Sequence, residues 1–236
     1  MENRVLESDV FAMHNFVKND VTVVIPTLNE QESIGYVIRD LKYCNYNNII
    51  VVDGHSADLT LDIVKNYDVL IMMQKGIGKA GALKTAFKNI KTPYVVVIDG
   101  DCTYAAGDIE KLFELSNKYD MVIGNRIKNS SNMKFLNIFG NWFISKVFCL
   151  LFMTNIHDVC SGLYLLNTNF AQNIDLKTKG FDVEVELAAH AAVNHRVGEI
   201  PINFRKRVGI QKLHAFRDGI KIIFAIFRMR VRLFKI

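Results

Sequence analysis

From residue 21 onward, short runs rich in Val and Ile alternate with stretches whose apolar residues recur at three- and four-residue spacing. Residues 21–25, closed by Pro26, read as a buried strand. Residues 32–43 read as a helix, with Ile34, Val37, Ile38 and Leu41 on one face. The same logic predicts strands over 49–52, 69–73, 94–98 and 121–123, and helices over 57–66, 79–90 and 108–118. Apolar strands alternating with helices of about three turns predict an α/β domain, its mainly parallel sheet covered on both faces. Beyond residue 124 the alternation fails. An aromatic-rich helix is expected over 135–153, a strand over 163–166, a helix over 183–194 and a strand-like segment over 197–204, where Pro201 marks an edge or a bend. A further helix begins near residue 214, and residues 2–16 carry a loose apolar stripe expected to form a short helix. The division is therefore an N-terminal helix in 1–20, a domain over 21–213 and a final helix over 214–236.

Composition adds limits. Half of the 236 residues are hydrophobic and 22% are charged, which suffices for a sizeable core and excludes a disordered chain. The longest apolar run, residues 147–153, has seven members, against the roughly 20 that a membrane-spanning helix needs. The opening Met1-Glu2-Asn3-Arg4 lacks the basic-then-apolar order of a secretory leader, and the four cysteines form no C-x-x-C pair. Reduced thiols in an intracellular protein are the expectation. Residues 205–236 hold ten Lys or Arg and one acid, Asp218, whereas the rest of the chain holds 19 basic and 23 acidic residues. A basic tail on a mildly acidic body is expected to meet an anionic partner.

Ligands of open parallel sheets bind beyond the carboxyl ends of the strands, and three such ends here carry unusual residues. Pro26-Thr27-Leu28-Asn29-Glu30 follows the first strand, Asp53-Gly54-His55-Ser56-Ala57-Asp58 the second, and Asp99-Gly100-Asp101 the run over 94–98. Ser56 and Asp58 could simply cap a helix. Asp99 and Asp101 are another matter, because two adjacent carboxylates at a buried strand end repel unless a cation neutralises them. A hard divalent ion, Mg²⁺ or Mn²⁺, takes oxygen ligands and shares them with substrate phosphates. The glycine-rich Lys75-Gly76-Ile77-Gly78-Lys79-Ala80-Gly81 does not fit a P-loop. It either lets backbone N–H groups approach a phosphate or is only a flexible connection. No G-x-G-x-x-G follows the first strand, so a dinucleotide dehydrogenase is excluded.

Taken together, P-x-x-N-E, D-G-x-S-x-D, G-K-A-G-A-L, D-x-D and Gly124-Asn125-Arg126, in this order, resemble the family 2 glycosyltransferases of GT-A fold over residues 21–213. Three elements of the second half resemble the polyprenyl-phosphate branch of that family. They are Asp158-Val159-Cys160-Ser161-Gly162, then Gly180-Phe181 with Glu184 and Glu186, and then Pro201-Ile202-Asn203-Phe204 with Arg207 and Lys212. The ending over 213–224 is similar to the archaeal synthases that load a hexose onto dolichyl phosphate for N-glycosylation. Gly209 lies two residues after Arg207 rather than three, and Gln211 stands in place of Ser. Thr103 and Gly54 also depart from the pattern of mannose synthases.

The resemblance implies an inverting transfer of a hexose from a nucleotide-sugar donor, expected to be UDP-linked, to dolichyl or polyprenyl phosphate. Pro26, Leu28, Glu30, Asp53, Lys79, Asp99, Gly100 and Asp101 would bind the donor. Asp99 and Asp101 would hold the metal, and Arg126 would assist the leaving group or the acceptor phosphate. Asp158 would orient Arg or sugar groups, or cap its loop, and Arg207 and Lys212 would clamp the acceptor phosphate. The alternative is a relative that acts on a sugar hydroxyl of a lipid-linked or surface glycan. The tail joins Ile220, Ile223, Phe224, Phe227, Val231 and Phe234 at helical spacing to neighbouring Arg and Lys. Such a helix either lies on an anionic membrane surface or docks on the domain. It lacks the groove of interleaved aromatics that nucleic acid requires. A peripheral protein on the cytoplasmic face of the membrane, without a transmembrane segment, is expected. Phe135, Phe139, Trp142, Phe143, Val147, Phe148 and Leu151 are expected to pack against the domain, unless some stay exposed to receive lipid.

Overall fold

The structure, a computed structural model, describes residues 18–126, 133, 135–178, 180, 182–209 and 215–234. The helix expected over 2–16 and the acceptor residue Lys212 lie outside the described residues.

Seven strands form one sheet: β1 (Val21–Thr27), β2 (Ile49–Asp53), β3 (Leu70–Met73), β4 (Tyr94–Val97), β5 (Met121–Asn125), β6 (Tyr164–Asn167) and β7 (Val197–Pro201). Their order is β3-β2-β1-β4-β6-β5-β7. All neighbours are parallel except β6, which runs antiparallel between β4 and β5 with Leu165 opposite both Val96 and Val122. β7 is an edge strand that ends at Pro201, where a missing N–H costs no ladder bond.

The strands are apolar on both faces because both faces are covered. Alternate residues divide between two cores. Val23, Ile25, Val51, Val96, Ile98, Val122 and Leu165 face a layer of three helices, α1 (Ile34–Tyr43), α2 (Thr60–Val64) and α4 (Ile109–Phe113). Val24, Val52, Val95, Val97, Ile123, Tyr164 and Leu166 face α3 (Gly78–Phe87), α5 (Phe135–Phe152), α7 (Val183–Val193) and α8 (Ala215–Phe234). The helix α6 (Thr168–Asn173) was not anticipated, and its start is set by the Asn167 side chain, which accepts a hydrogen bond from Phe170 N. The second helix is shorter than its pattern, because Asp58 accepts from Thr60 N and Oγ1 and from Gln31 N and so holds residues 57–59 in a turn.

The final helix docks on the domain. Ile222, Ala225, Ile226 and Met229 are buried in the same core as α5 and α7. Near the helix end, Arg232 Nη2 donates to Glu186 Oε1 at 2.5 Å, and Glu186 is fully buried. That carboxylate also accepts from Lys177 N and Thr178 N. Burial by itself would raise its pKa, but these hydrogen bonds outweigh burial and hold it below the usual range. No helix among the described residues is long and apolar enough to cross a membrane.

Candidate active site

The three strand ends meet as expected, and each carries a non-glycine residue in the left-handed backbone region. These are Asn29 after β1 (φ 49°), His55 after β2 (φ 65°) and Cys102 after β4 (φ 65°). Local hydrogen bonds keep the first two turns in place. Asn29 N donates to Ser56 Oγ, and Ala57 N donates to Asn29 Oδ1, each at 2.8 Å. Asp53 is fully buried, and its oxygens accept from Ser56 N at 2.8 Å and Ser56 Oγ at 2.6 Å. It therefore supports the loop over 54–56 from beneath and is not part of the cavity wall, whereas Pro26, Leu28 and Glu30 are.

Each carboxylate of the D-x-D pair is met by a side-chain cation. Lys79 Nζ lies 2.6 Å from Asp99 Oδ1 and 2.5 Å from Glu184 Oε1. Burial would lower the Lys79 pKa, but the two carboxylates outweigh it and raise it well above its ordinary value, so this lysine stays charged. Glu184 is raised by burial, with Lys79 opposing that shift. Asp101 Oδ1 accepts from Thr103 N at 3.0 Å and from Thr103 Oγ1 at 2.5 Å. Its Oδ2 pairs with Arg207 Nη1, while Arg207 Nη2 reaches Glu30 Oε1 at 2.8 Å. Burial and the neighbouring Asp99 raise the Asp101 pKa, against the pull of Thr103 and Arg207.

Two hard oxygen groups that already attract cations fit Mg²⁺ or Mn²⁺. Among the described residues no cluster of three His, Cys, Asp or Glu could hold a metal ion. Asp99 and Asp101 could hold such an ion, with further ligands coming from phosphate and water. Asp99 is also set by a contact that its own motif does not reveal. A Cβ at Gly162 would overlap the Asp99 carboxylate, so any larger residue there would push that side chain out of its present place.

Arg126 forms the other half of the polar site. Its Nε and Nη2 each donate to Asp158 at 2.7 Å, and its backbone N donates to the same carboxylate at 3.0 Å. Asp158 is fully buried, so its carboxylate orients Arg126. Arg126 Nη1 also reaches Tyr104 Oη at 3.3 Å, and the guanidinium lies 5.5 Å from the Phe204 ring centre. Burial would lower the Arg126 pKa, but Asp158 outweighs it and raises the value further. Tyr104 accepts from Gly162 N at 2.7 Å and so links Arg126 to the loop that seats Asp99. Nothing in the D-x-D spacing marks Tyr104, and an aromatic residue three positions after that motif is an ordinary core residue by pattern. Cys160, in the same cavity wall, has its thiol pKa pushed up to about 12 by burial.

These residues open on one cavity of about 1330 Å³. Its polar end is lined by Lys79, Asp99, Asp101, Arg126, Glu184 and Arg207, and its other end by Leu136, Phe139, Phe143, Ile144, Ile220 and Ile223 of α5 and α8. The aromatic helix packs on the domain by one side and leaves other aromatics exposed. Phe148 is buried, but Phe139, Trp142 and Phe143 are 55%, 44% and 46% exposed. The helix carries apolar residues all round, and α8 covers only one side of it. The tail likewise has two apolar faces, one docked and one formed by Phe224, Phe227 and Val231, all more than half exposed.

The sequence profile described as "Glycosyl transferase family 2" matches residues 22–166, and the chain belongs to that family; it is a glycosyltransferase. "Glycosyltransferase AglJ" of Haloferax volcanii is 34% identical over 176 residues, 73% of this chain and 58% of that protein, so the chain spans a little over half the length of that relative. The "Dolichyl-phosphate hexose transferase" of the same organism is 30% identical over 212 residues, 88% of this chain and 92% of that protein. Among solved structures, glucosyl-3-phosphoglycerate synthase from Mycobacterium tuberculosis, in complex with Mn²⁺, UDP-glucose and phosphoglyceric acid, aligns with a TM-score of 0.71 at 15% identity. The alignment covers 90% of this chain and 78% of that one, and it shows a shared GT-A fold.

Substituting Gly162→Ala should displace Asp99 and weaken Mn²⁺ binding by at least about tenfold, since one lost charge-assisted ligand is worth roughly 1.5–3 kcal/mol. Mn²⁺ titration followed by electron paramagnetic resonance checks this, and unchanged affinity would show that Asp99 does not depend on the glycine.

Proposed function

We propose that this glycosyltransferase moves a hexose from a UDP-sugar to dolichyl or another polyprenyl phosphate, with inversion, in an early step of archaeal N-glycosylation. The observation that carries the reading is the single cavity that joins the D-x-D carboxylates to an apolar gallery between α5 and α8. A polyprenyl phosphate has matching chemistry, an anionic head joined directly to a long apolar tail, whereas a surface glycan has no lipid for the gallery and a lipid-linked glycan holds its sugar hydroxyl farther from its lipid. The dolichyl-phosphate hexose transferase among the relatives supports the acceptor class. The UDP-glucose complex of the structural neighbour supports the donor class.

Asp99 and Asp101 would hold Mg²⁺ or Mn²⁺. When bound, that ion neutralises the diphosphate and stabilises the charge of the departing nucleotide. Lys79 and Gly162 fix Asp99, and Pro26, Leu28 and Glu30 wall the donor pocket over the loop that Asp53 supports. Arg126, locked by Asp158 and Tyr104, presents a permanent positive charge where the diphosphate and the acceptor phosphate meet. An acceptor phosphate oxygen attacks the anomeric carbon. The bond to the diphosphate breaks, and the nucleoside diphosphate leaves with the electron pair. A phosphate near neutral pH already exposes an unprotonated oxygen, so no general base is required and Arg207 and Lys212 serve as clamps.

The outer faces of α5 and α8 supply the membrane contact of a peripheral protein on the cytoplasmic face. Phe139, Trp142, Phe224, Phe227 and Val231 stand exposed on them. Arg217, Lys221 and Arg228 are about two-thirds exposed and suited to anionic headgroups.

The decisive assay is a panel of nucleotide sugars with one polyprenyl phosphate, in which an acid-labile, lipid-soluble sugar phosphate is the expected product. A product stable to mild acid, or none with any donor, would overturn the acceptor. In that assay Asp101→Asn should abolish transfer in a folded protein, because an amide is a poor ligand for a hard cation; full activity in excess EDTA would refute it. Arg207→Ala should raise the acceptor KM roughly ten- to a hundredfold and leave the donor Kd nearly unchanged, as expected for one phosphate contact. Since Ile222, Ala225, Ile226 and Met229 belong to the core, truncating α8 would open the domain. The membrane contact is better tested with Phe224→Ser/Phe227→Ser, which should cut sedimentation with anionic vesicles about tenfold or more without lowering Tm. High salt should weaken what remains. Unaltered sedimentation would move the contact elsewhere.

A further inference from the structure

The two cations on the D-x-D pair are held in different ways. Lys79 belongs to α3 and is gripped on its far side by Glu184 of α7, so the domain itself fixes it. Arg207 instead belongs to a strap without regular structure that leaves β7 and crosses the end of β4. The strap is fastened along its length. Ile202 N donates to Asn125 O at 3.0 Å, Asn203 N to Asp108 Oδ2 at 2.9 Å, Arg205 N to Thr103 O at 2.8 Å and Val208 N to Asp101 O at 3.0 Å. Backbone bonds thus hold Arg205 and Val208, on either side of Arg207, in place and leave its side chain to choose a partner.

The occupancy of Asp101 makes that choice matter. Its Oδ1 is committed to the Thr103 turn, and the remaining oxygen, Oδ2, is the one Arg207 occupies. A divalent cation that needs Asp101 Oδ2 meets the guanidinium first. Glu30 is the second anchor of that guanidinium, and its other oxygen accepts from Ser33 Oγ at 3.1 Å. The resting place is incomplete for arginine, because Arg207 Nε is buried with no hydrogen-bond partner among the described residues. A buried, unmatched N–H costs stability, so the guanidinium is held here by charge and is not saturated.

We propose that Arg207 is an exchangeable counter-ion, parked between Asp101 and Glu30 in the resting protein and released as the divalent cation takes Asp101. Glu30 is then a positioning residue for Arg207 as well as part of the donor wall. Released, Arg207 stays on its fastened strap beside the cavity and becomes available to the acceptor phosphate; this second half rests on the acceptor reading above. Acceptor capture is thereby coupled to metal loading by one side chain that cannot serve both partners.

The exchange makes a prediction opposite in sign to simple electrostatics. Glu30→Gln removes a negative charge near the metal site, which alone would weaken cation binding. If Glu30 parks Arg207, the same change loosens the competitor and tightens Mn²⁺. The full-length protein, free of nucleotide, is titrated with Mn²⁺ by electron paramagnetic resonance, with Tm confirming that each variant is folded. The expected result is at least about threefold tighter Mn²⁺ in Glu30→Gln and tighter still in Arg207→Ala. Weaker or unchanged binding in Glu30→Gln overturns the exchange, whatever the acceptor. Farnesyl phosphate binding then tests the other half. A loss in Arg207→Ala supports presentation to the acceptor. No loss refutes the acceptor reading, while the Mn²⁺ result still decides the exchange.

Discussion

The organisation of this molecule depends on the repulsion between Asp99 and Asp101. Two carboxylates at the end of a buried strand cannot both stay charged in a low-dielectric setting without nearby positive charge. Lys79 and Arg207 supply it, each shared with another acid, Glu184 or Glu30. The resulting chain of alternating charges draws together the loop after β1, helix α3, the D-x-D turn, the strap after β7 and helix α7. These are the parts that must converge for a donor and an acceptor to share one cavity.

Glycine at 162 and the pair Arg126–Asp158 extend the same logic through the second half of the chain. β6 enters the sheet antiparallel between β4 and β5, which places the loop before it directly against Asp99. Asp158 lies in that loop and Arg126 follows β5, so their ion pair ties the two sides of the insertion together. Tyr104 bonds to both and comes from the segment after the D-x-D. The D-x-D turn and the Arg126 guanidinium are therefore joined through packing at Gly162 and hydrogen bonds at Tyr104, and a change at any member should be felt at the others.

Helix α8 resolves a choice that its amphipathic pattern left open. One face is docked in the core and tied down by Arg232 on the buried Glu186, while the opposite face keeps Phe224, Phe227 and Val231 in solvent. The helix is apolar enough for both roles, since its docked residues Ile222, Ala225, Ile226 and Met229 and its exposed ones lie on different sides. Docking gives the helix a fixed angle to the cavity, which a free tail would lack.

The order of strands and helices, the D-x-D pair and the family were legible in the sequence. Period-two and period-3.6 patterns report burial locally, and the family motifs are short contiguous strings such as Gly78-Lys79-Ala80-Gly81. Asp53, by contrast, is conspicuous at a strand tip yet lies under its loop with both oxygens spent on Ser56, and position along a chain carries no information about depth. Which aromatics of α5 would face outward was hidden for a related reason: a helix that is apolar all round does not announce which side its neighbour will cover. The charge pairings were hidden too, since Arg207 and Glu30 are separated by 177 residues and Lys79 and Asp99 by 20. The sequence by itself determined the family and which charged groups were candidates for the site, because chemistry follows residue type. Only the tertiary structure decided which carboxylate each cation would neutralise, because an ion pair depends on distances of a few ångströms that the chain path creates.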